Sequence, residues 1–230
     1  MTEVHAATDA DAAAIVASAV ERARASLVGP GDWLTGAQRR AAWVEARDAR
    51  TNELDQQRRA AISPNAVDGS HLATNDLSAA AVEVVHRMAS DPGRLTRQWA
   101  DEAMVDLGDA TYTELVGVAA TSATVDMFDW AMGDTDAPIG DAVDGEPAKV
   151  RPDSVGPVGA WVHQSLETTT ANVSRSLSLV PVTNGPWVGL VDGLYSRGPG
   201  FFDMTWDRAL SRPQVELVAA RTTAELECFY

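Results

Sequence analysis

Apolar residues along this chain recur mainly three and four positions apart, and no run shows sustained strict alternation. That period places them on single faces of helices. Thr8-Asp9-Ala10-Asp11 reads as a capping box, and the helix it opens runs through Ile15, Val16, Ala19 and Val20 to about Leu27. Gly29-Pro30-Gly31 stops it. Thr35-Gly36-Ala37-Gln38 is a second capping box, opening a helix with Trp43, Val44 and many charged residues that ends past Thr51. Ile62–Asn75 is turn-rich and reads as a loop. Leu77–Met88 and Leu95–Leu107 read as helices separated by Asp91-Pro92-Gly93-Arg94. A long helix follows from Ala110 to about Met132, closed by Gly133 as a left-handed cap.

The composition then changes. From Asp134 to Gly159, Asp, Pro and Gly dominate, which describes a linker or long surface loop. Leu177–Val180 is a short segment before Pro181, Pro186–Tyr195 a short helix, and Met204–Arg208 another short segment. Ser211-Arg212-Pro213-Gln214 is a third capping box and opens the closing helix. The expected fold class is all-α, in two parts: residues 1–147 and residues 148–230.

An internal repeat links the two parts. With Glu216 set over Glu114, ELVAARTTAELECFY lies over ELVGVAATSATVDMF. The Glu-Leu-Val triplet and a threonine match, Thr223 over Thr121. Ser211 lies over Asp109 as a second capping residue, and each copy follows a helix, a Pro-Gly turn and a second helix. The first copy, within residues 77–133, carries Asp126 and Asp129 where the second carries Cys228 and then ends. Repeated Leu and Val positions are core positions whatever the function.

Charge excludes some partners. The net charge of −15 argues against nucleic acid and against an anionic membrane surface. No apolar run reaches the roughly 20 residues of a membrane span, and Met1–Ala10 is too polar for a signal peptide. One cysteine forbids an internal disulfide. The expectation is a cytoplasmic, soluble protein.

Cys228 is the only thiol, and Glu216 stands twelve positions before it. A lone cysteine beside Phe229 fits a buried small hydrophobe or a nucleophile. Around these two residues the sequence resembles the AhpD-like, carboxymuconolactone decarboxylase superfamily, and most closely its alkylhydroperoxidase-related (seleno)proteins. The motif there is Glu, eleven residues, Cys, two residues, Cys or selenocysteine, three residues, His. Glu216, the eleven residues after it and Cys228 match, and Phe229 and Tyr230 fill the two-residue gap. The second chalcogen and the histidine would fall beyond Tyr230, an arrangement that a UGA codon read as stop would produce. The first copy keeps Glu114 alone. The resemblance covers about residues 77–133 and 186–230.

The resemblance implies a thiol- or selenol-dependent peroxidase, with Cys228 and Glu216 as catalytic residues. Its partners would be a hydroperoxide substrate and a thiol reductant, and the assembly a homo-oligomer. No cofactor or metal is implied. A non-catalytic helical protein that keeps the fold for assembly is the alternative. Twelve residues of unbroken helix span about 18 Å, so contact between Glu216 and Cys228 calls for a break, and Thr222 with Glu225 offers a capping box for one. Among the remaining candidates, His86 reads as exposed or capping, His5 and His71 as loop residues without signal, and His163 as a remote substitute for the absent histidine. No His, Cys or carboxylate pair has metal-ligand spacing.

Overall fold

Helices dominate the computed structural model of this chain, in which residues 9–167, 169, 171–194 and 209–225 are described. They are α1 (Asp9–Val28), α2 (Gly36–Asp48), α3 (Glu53–Ala60), α4 (Ala79–Ser90), α5 (Arg97–Leu107), α6 (Asp109–Ala131), α7 (Asn172–Arg175), α8 (Pro181–Leu194) and α9 (Arg212–Glu225). Two-residue strands, β1 (Val155–Gly156) and β2 (Gln164–Ser165), pair antiparallel, Val155 opposite Ser165. The all-α expectation holds. The Thr8 cap and the Met204–Arg208 segment lie outside the described residues.

Local chemistry sets most helix starts. The Thr35 hydroxyl accepts from the Gln38 N–H at 3.2 Å while Gln38 returns its amide oxygen to the Thr35 N–H at 3.0 Å, completing the capping box. Ser78 and Thr96 cap α4 and α5 through the amides of Ala81 and Trp99. Gly133 closes α6 at a φ of 90°.

Three boundaries differ from expectation. The second helix ends at Asp48 instead of running past Thr51, because Asn52 caps a separate helix by accepting from the Leu54 N–H at 3.1 Å. The eighth begins at Pro181 instead of Pro186. Its cap comes from a distant residue: Asp32 accepts from the amides of Val182 and Thr183 at 3.0 and 2.9 Å. Helix α9 runs unbroken through Thr222 and Thr223 to Glu225. Thr222 gives its hydroxyl to the Val218 carbonyl at 2.9 Å, one turn back, so it supports the helix where a break was expected.

The core forms around α6. Leu115, Val118 and Val125 meet Val20, Ala23 and Leu27 of α1, Ala42 and Trp43 of α2, Val82, Val84 and Val85 of α4, and Leu190 of α8. Leu190 lies beyond the Asp134–Gly159 loop, so described residues of both parts share this core. Trp43 is fully buried, worth about 4–6 kcal/mol of transfer free energy for a side chain of its area. Leu177, Leu179, Val180 and Ala110 form a smaller cluster beside it. Because α6 is covered on several sides, its polar residues are buried too, and each needs a partner.

Candidate functional site

Helix α6 carries all three positions that the first copy aligns with the redox motif. Glu114, Asp126 and Asp129 are all buried, and each is locked on arginine. The Glu114 Oε1 accepts from the Arg39 guanidinium at 2.6 Å and from the Asp32 N–H at 3.2 Å. Its Oε2 accepts from the amides of Trp33 and Leu34 at 2.5 and 3.1 Å. Arg39 also donates to Thr183 Oγ1 at 2.8 Å and to the Ser26 carbonyl at 3.1 Å. Thr183 gives its own hydroxyl to Asp32 at 2.9 Å. The loop at residues 29–34, α2, α6 and the start of α8 therefore meet on one buried polar network. Burial pushes the Glu114 carboxyl above its ordinary range, against the pull of Arg39 and the Trp33 N–H. A side chain at Gly31 would drive its Cβ into the Glu114 carboxylate and the Arg39 guanidinium, so only glycine lets this loop close.

Asp126 accepts from Arg47 at 2.8 Å, from Arg50 at 2.9 Å and from the Trp43 indole N–H at 3.1 Å. Asp129 accepts from a single Arg24 guanidinium nitrogen on both its oxygens, at 2.7 and 2.9 Å. These are satisfied acceptors with no group left over for chemistry. The N-cap of α6 is Gly108, without a side-chain bond, and Asp109 is the first helical residue, held by Arg151 at 2.7 Å. The capping match between Asp109 and Ser211 is therefore displaced by one residue.

The second copy is placed differently. Glu216 lies on α9, half-exposed, with its carboxylate 2.5 Å from the Arg212 guanidinium one turn earlier. Leu217 and Val218 beside it are 71% and 59% exposed, so the aligned triplet that is core in α6 faces outward in α9. Cys228 lies outside the described residues. His163 is exposed beside Arg151 and Asp109.

A second cluster was not anticipated. His86, expected to be exposed or capping, is 1% exposed in the middle of α4. Its Nδ1 lies 2.5 Å from Asp55 Oδ2 and its Nε2 2.9 Å from Glu45 Oε2. His71, expected to carry no signal, is buried between the exposed residues Ser70 and Leu72. Its ring stacks on His86 with centroids 3.8 Å apart, its Nδ1 is 2.7 Å from Glu83 Oε2, and its Nε2 is 3.3 Å from Asp55 Oδ2. Arg58 holds Glu83 at 2.7 Å and the Gly69 carbonyl at 2.9 Å, and Ser90 reaches the other Asp55 oxygen at 3.2 Å. Burial opposes charge on His71, but Asp55 and Glu83 outweigh it and lift its pKa to about 9. Burial likewise opposes charge on Asp55, and the two imidazoles hold its carboxyl well below the carboxylate range.

Tertiary structure overrides the spacing argument here. Asp55, His71 and His86 are separated by 16 and 15 positions (71 − 55 and 86 − 71), yet they place donor atoms within 4.8 Å of one another. The one local signal was Glu83-Val84-Val85-His86, a pair three apart on a single helix face. Neither network lines the apolar cleft of about 300 Å³ bounded by Tyr112, Val116, Leu177, Trp161 and Trp187.

No family model, curated protein or solved structure matches this chain. Among the described residues, no helix is long and apolar enough to cross a membrane.

Proposed function

We propose that this chain is a thiol- or selenol-dependent oxidoreductase of the AhpD-like peroxidase class, with Cys228 as its reactive thiol. The observation that carries the reading is the fate of the motif in the first copy. Glu114, Asp126 and Asp129 occupy the glutamate and two chalcogen positions on α6, and all three are buried in arginine pairs. A half whose motif positions serve as structural ion pairs leaves the chemistry to the half that retains sulfur. The Cys228 thiolate would attack the distal oxygen of a hydroperoxide, giving a sulfenate and the alcohol. A second thiol would then condense with the sulfenic acid, releasing water and forming a disulfide that an external dithiol reduces. Glu216 would relay a proton, as the resemblance implies.

The test is single-turnover oxidation of the 230-residue chain by an alkyl hydroperoxide, with sulfenate trapped by dimedone. We expect one trapped adduct per chain, formed faster than on a free cysteine peptide and absent in Cys228→Ser. Steady-state turnover with dithiothreitol stays near background, because the 230-residue chain holds neither the second thiol nor the relay histidine of the motif. Oxidation of Cys228 no faster than the peptide overturns the reading.

One observation favours a second reading, a non-catalytic protein that keeps its fold for assembly. Leu217 and Val218 stand exposed on α9, and among the described residues no other helix packs broadly against α9. An apolar pair of this kind suits burial against a second copy. Analytical ultracentrifugation of Leu217→Glu/Val218→Glu tests it: an unchanged sedimentation coefficient removes this reading.

A further inference from the structure

We propose that Asp55, His71 and His86 form a binding site for one divalent transition-metal ion, zinc being the natural fit. The argument starts from the inner faces of the two imidazoles. His86 Nδ1 and His71 Nε2 both face the same oxygen, Asp55 Oδ2, at 2.5 and 3.3 Å. One carboxylate oxygen satisfies the first nitrogen and leaves the second without a hydrogen bond, although His71 is only 8% exposed. A buried nitrogen held only by an ion-pair contact at 3.3 Å, outside hydrogen-bond geometry and aimed into a cluster of donors, leaves a place for another occupant. A cation among the three atoms would satisfy all of them at once.

The outer faces are arranged to match. His71 Nδ1 is held by Glu83 and His86 Nε2 by Glu45, at 2.7 and 2.9 Å. A carboxylate on the far nitrogen fixes the tautomer that turns the near lone pair toward a metal. Those carboxylates are themselves oriented, Glu83 by Arg58. Two imidazoles and one carboxylate are three protein ligands, the number typical of zinc sites that keep a position open to water.

Distances are close to what an ion needs. Ligands about 2.0–2.1 Å from a tetrahedral zinc lie roughly 3.3 Å apart. The His71–Asp55 pair already has that separation, 3.3 Å. His86 and Asp55, at 2.5 Å, would part by roughly 0.8 Å to admit the ion. Entry runs through the loop that carries His71. Its neighbours Ser70 and Leu72 are exposed, so one layer of chain separates the cluster from solvent. Gly69 sets the inward turn at a φ of 125°, crossing Leu54 where a Cβ would meet the side chain at 3.0 Å.

The experiment uses the full chain, stripped with EDTA and titrated with Co²⁺ and then Zn²⁺. We expect one ion per chain by elemental analysis, visible ligand-field bands on Co²⁺ that Zn²⁺ erases, and a higher Tm with metal. His71→Gln, which removes one imidazole from the buried cluster, should remove the Tm rise and weaken binding at least about tenfold. Glu83→Gln, which keeps the shape of the side chain but removes the carboxylate from His71 Nδ1 and from Arg58, should weaken binding by about 10–100-fold. Cys228→Ser should bind as tightly as the parent, which separates this site from the redox proposal. The inference is overturned by absence of a stoichiometric ion in the parent chain. It is equally overturned by an ion whose affinity neither His71→Gln nor Glu83→Gln changes.

Discussion

Replacing Glu114 by alanine tests what the repeated glutamate does in the first copy. The substitution removes the one carboxylate that, among the described residues, pairs with the Arg39 guanidinium, which is 2% exposed. It also strips the acceptor from three consecutive amides, those of Asp32, Trp33 and Leu34. Removing one member of a buried ion pair costs about 3–5 kcal/mol. Each buried amide left without an acceptor adds about 1–3 kcal/mol where water cannot reach it. The loop can relax toward solvent, so these do not sum, and a loss of about 4–5 kcal/mol is expected. That is a large share of a typical total of about 5–15 kcal/mol. At about 2–4 °C per kcal/mol for a chain of this size, Tm should fall by about 10–20 °C. Thermal and urea unfolding followed by far-UV circular dichroism measure this. Glu216→Ala is the internal control. Its carboxylate is half-exposed and pairs with the buried Arg212 one turn away, so the loss should be about 1–2 kcal/mol, well short of that at Glu114. A double-mutant cycle of Glu114→Ala with Arg39→Met should show coupling above about 1 kcal/mol. A Glu114→Ala chain within about 1 kcal/mol of the parent would refute the structural reading of the first copy.

Two further outcomes follow from the same networks. Asp126→Ala removes the acceptor for Arg47, Arg50 and Trp43; both arginines are partly exposed and can hydrate, so urea unfolding should show a loss of about 2–3 kcal/mol, smaller than at Glu114. In metal-free protein the His71 pKa is lifted from 6.5 to about 9, so its stabilising charge is fully present below pH 6.5 and lost as pH rises through 9. Asp55 is shifted the other way, so its contribution is present above its ordinary value and lost in acid. A Tm profile should therefore fall on both sides, and His71→Gln should flatten the alkaline limb; an unchanged alkaline limb would exclude His71 as its source.

Local patterning alone determined most of the helices. The Thr35–Gln38 capping box, the Asp91–Arg94 break and the Gly133 cap are contained in a few adjacent residues, and short-range hydrogen bonds decide them. The all-α class followed from the three-and-four spacing of apolar residues, a local property as well. What sequence could not supply was any effect joining distant residues. The start of α8 depends on a carboxylate 150 positions earlier, Asp32, so Pro186 looked like the boundary. Glu114 and Glu216 share a triplet, yet one is sealed against Arg39 and the other is half-exposed beside Arg212. That difference lies in which helices surround each residue, information the triplet does not carry. The histidines show it most clearly. His71 and His86 have no meaningful spacing along the chain, and only the packing of α2, α3 and α4 under one loop stacks their rings and gathers Asp55, Glu83 and Glu45 around them. Helix formation is governed by neighbours within four residues, whereas burial and charge pairing are governed by neighbours in space, and only the folded chain selects those.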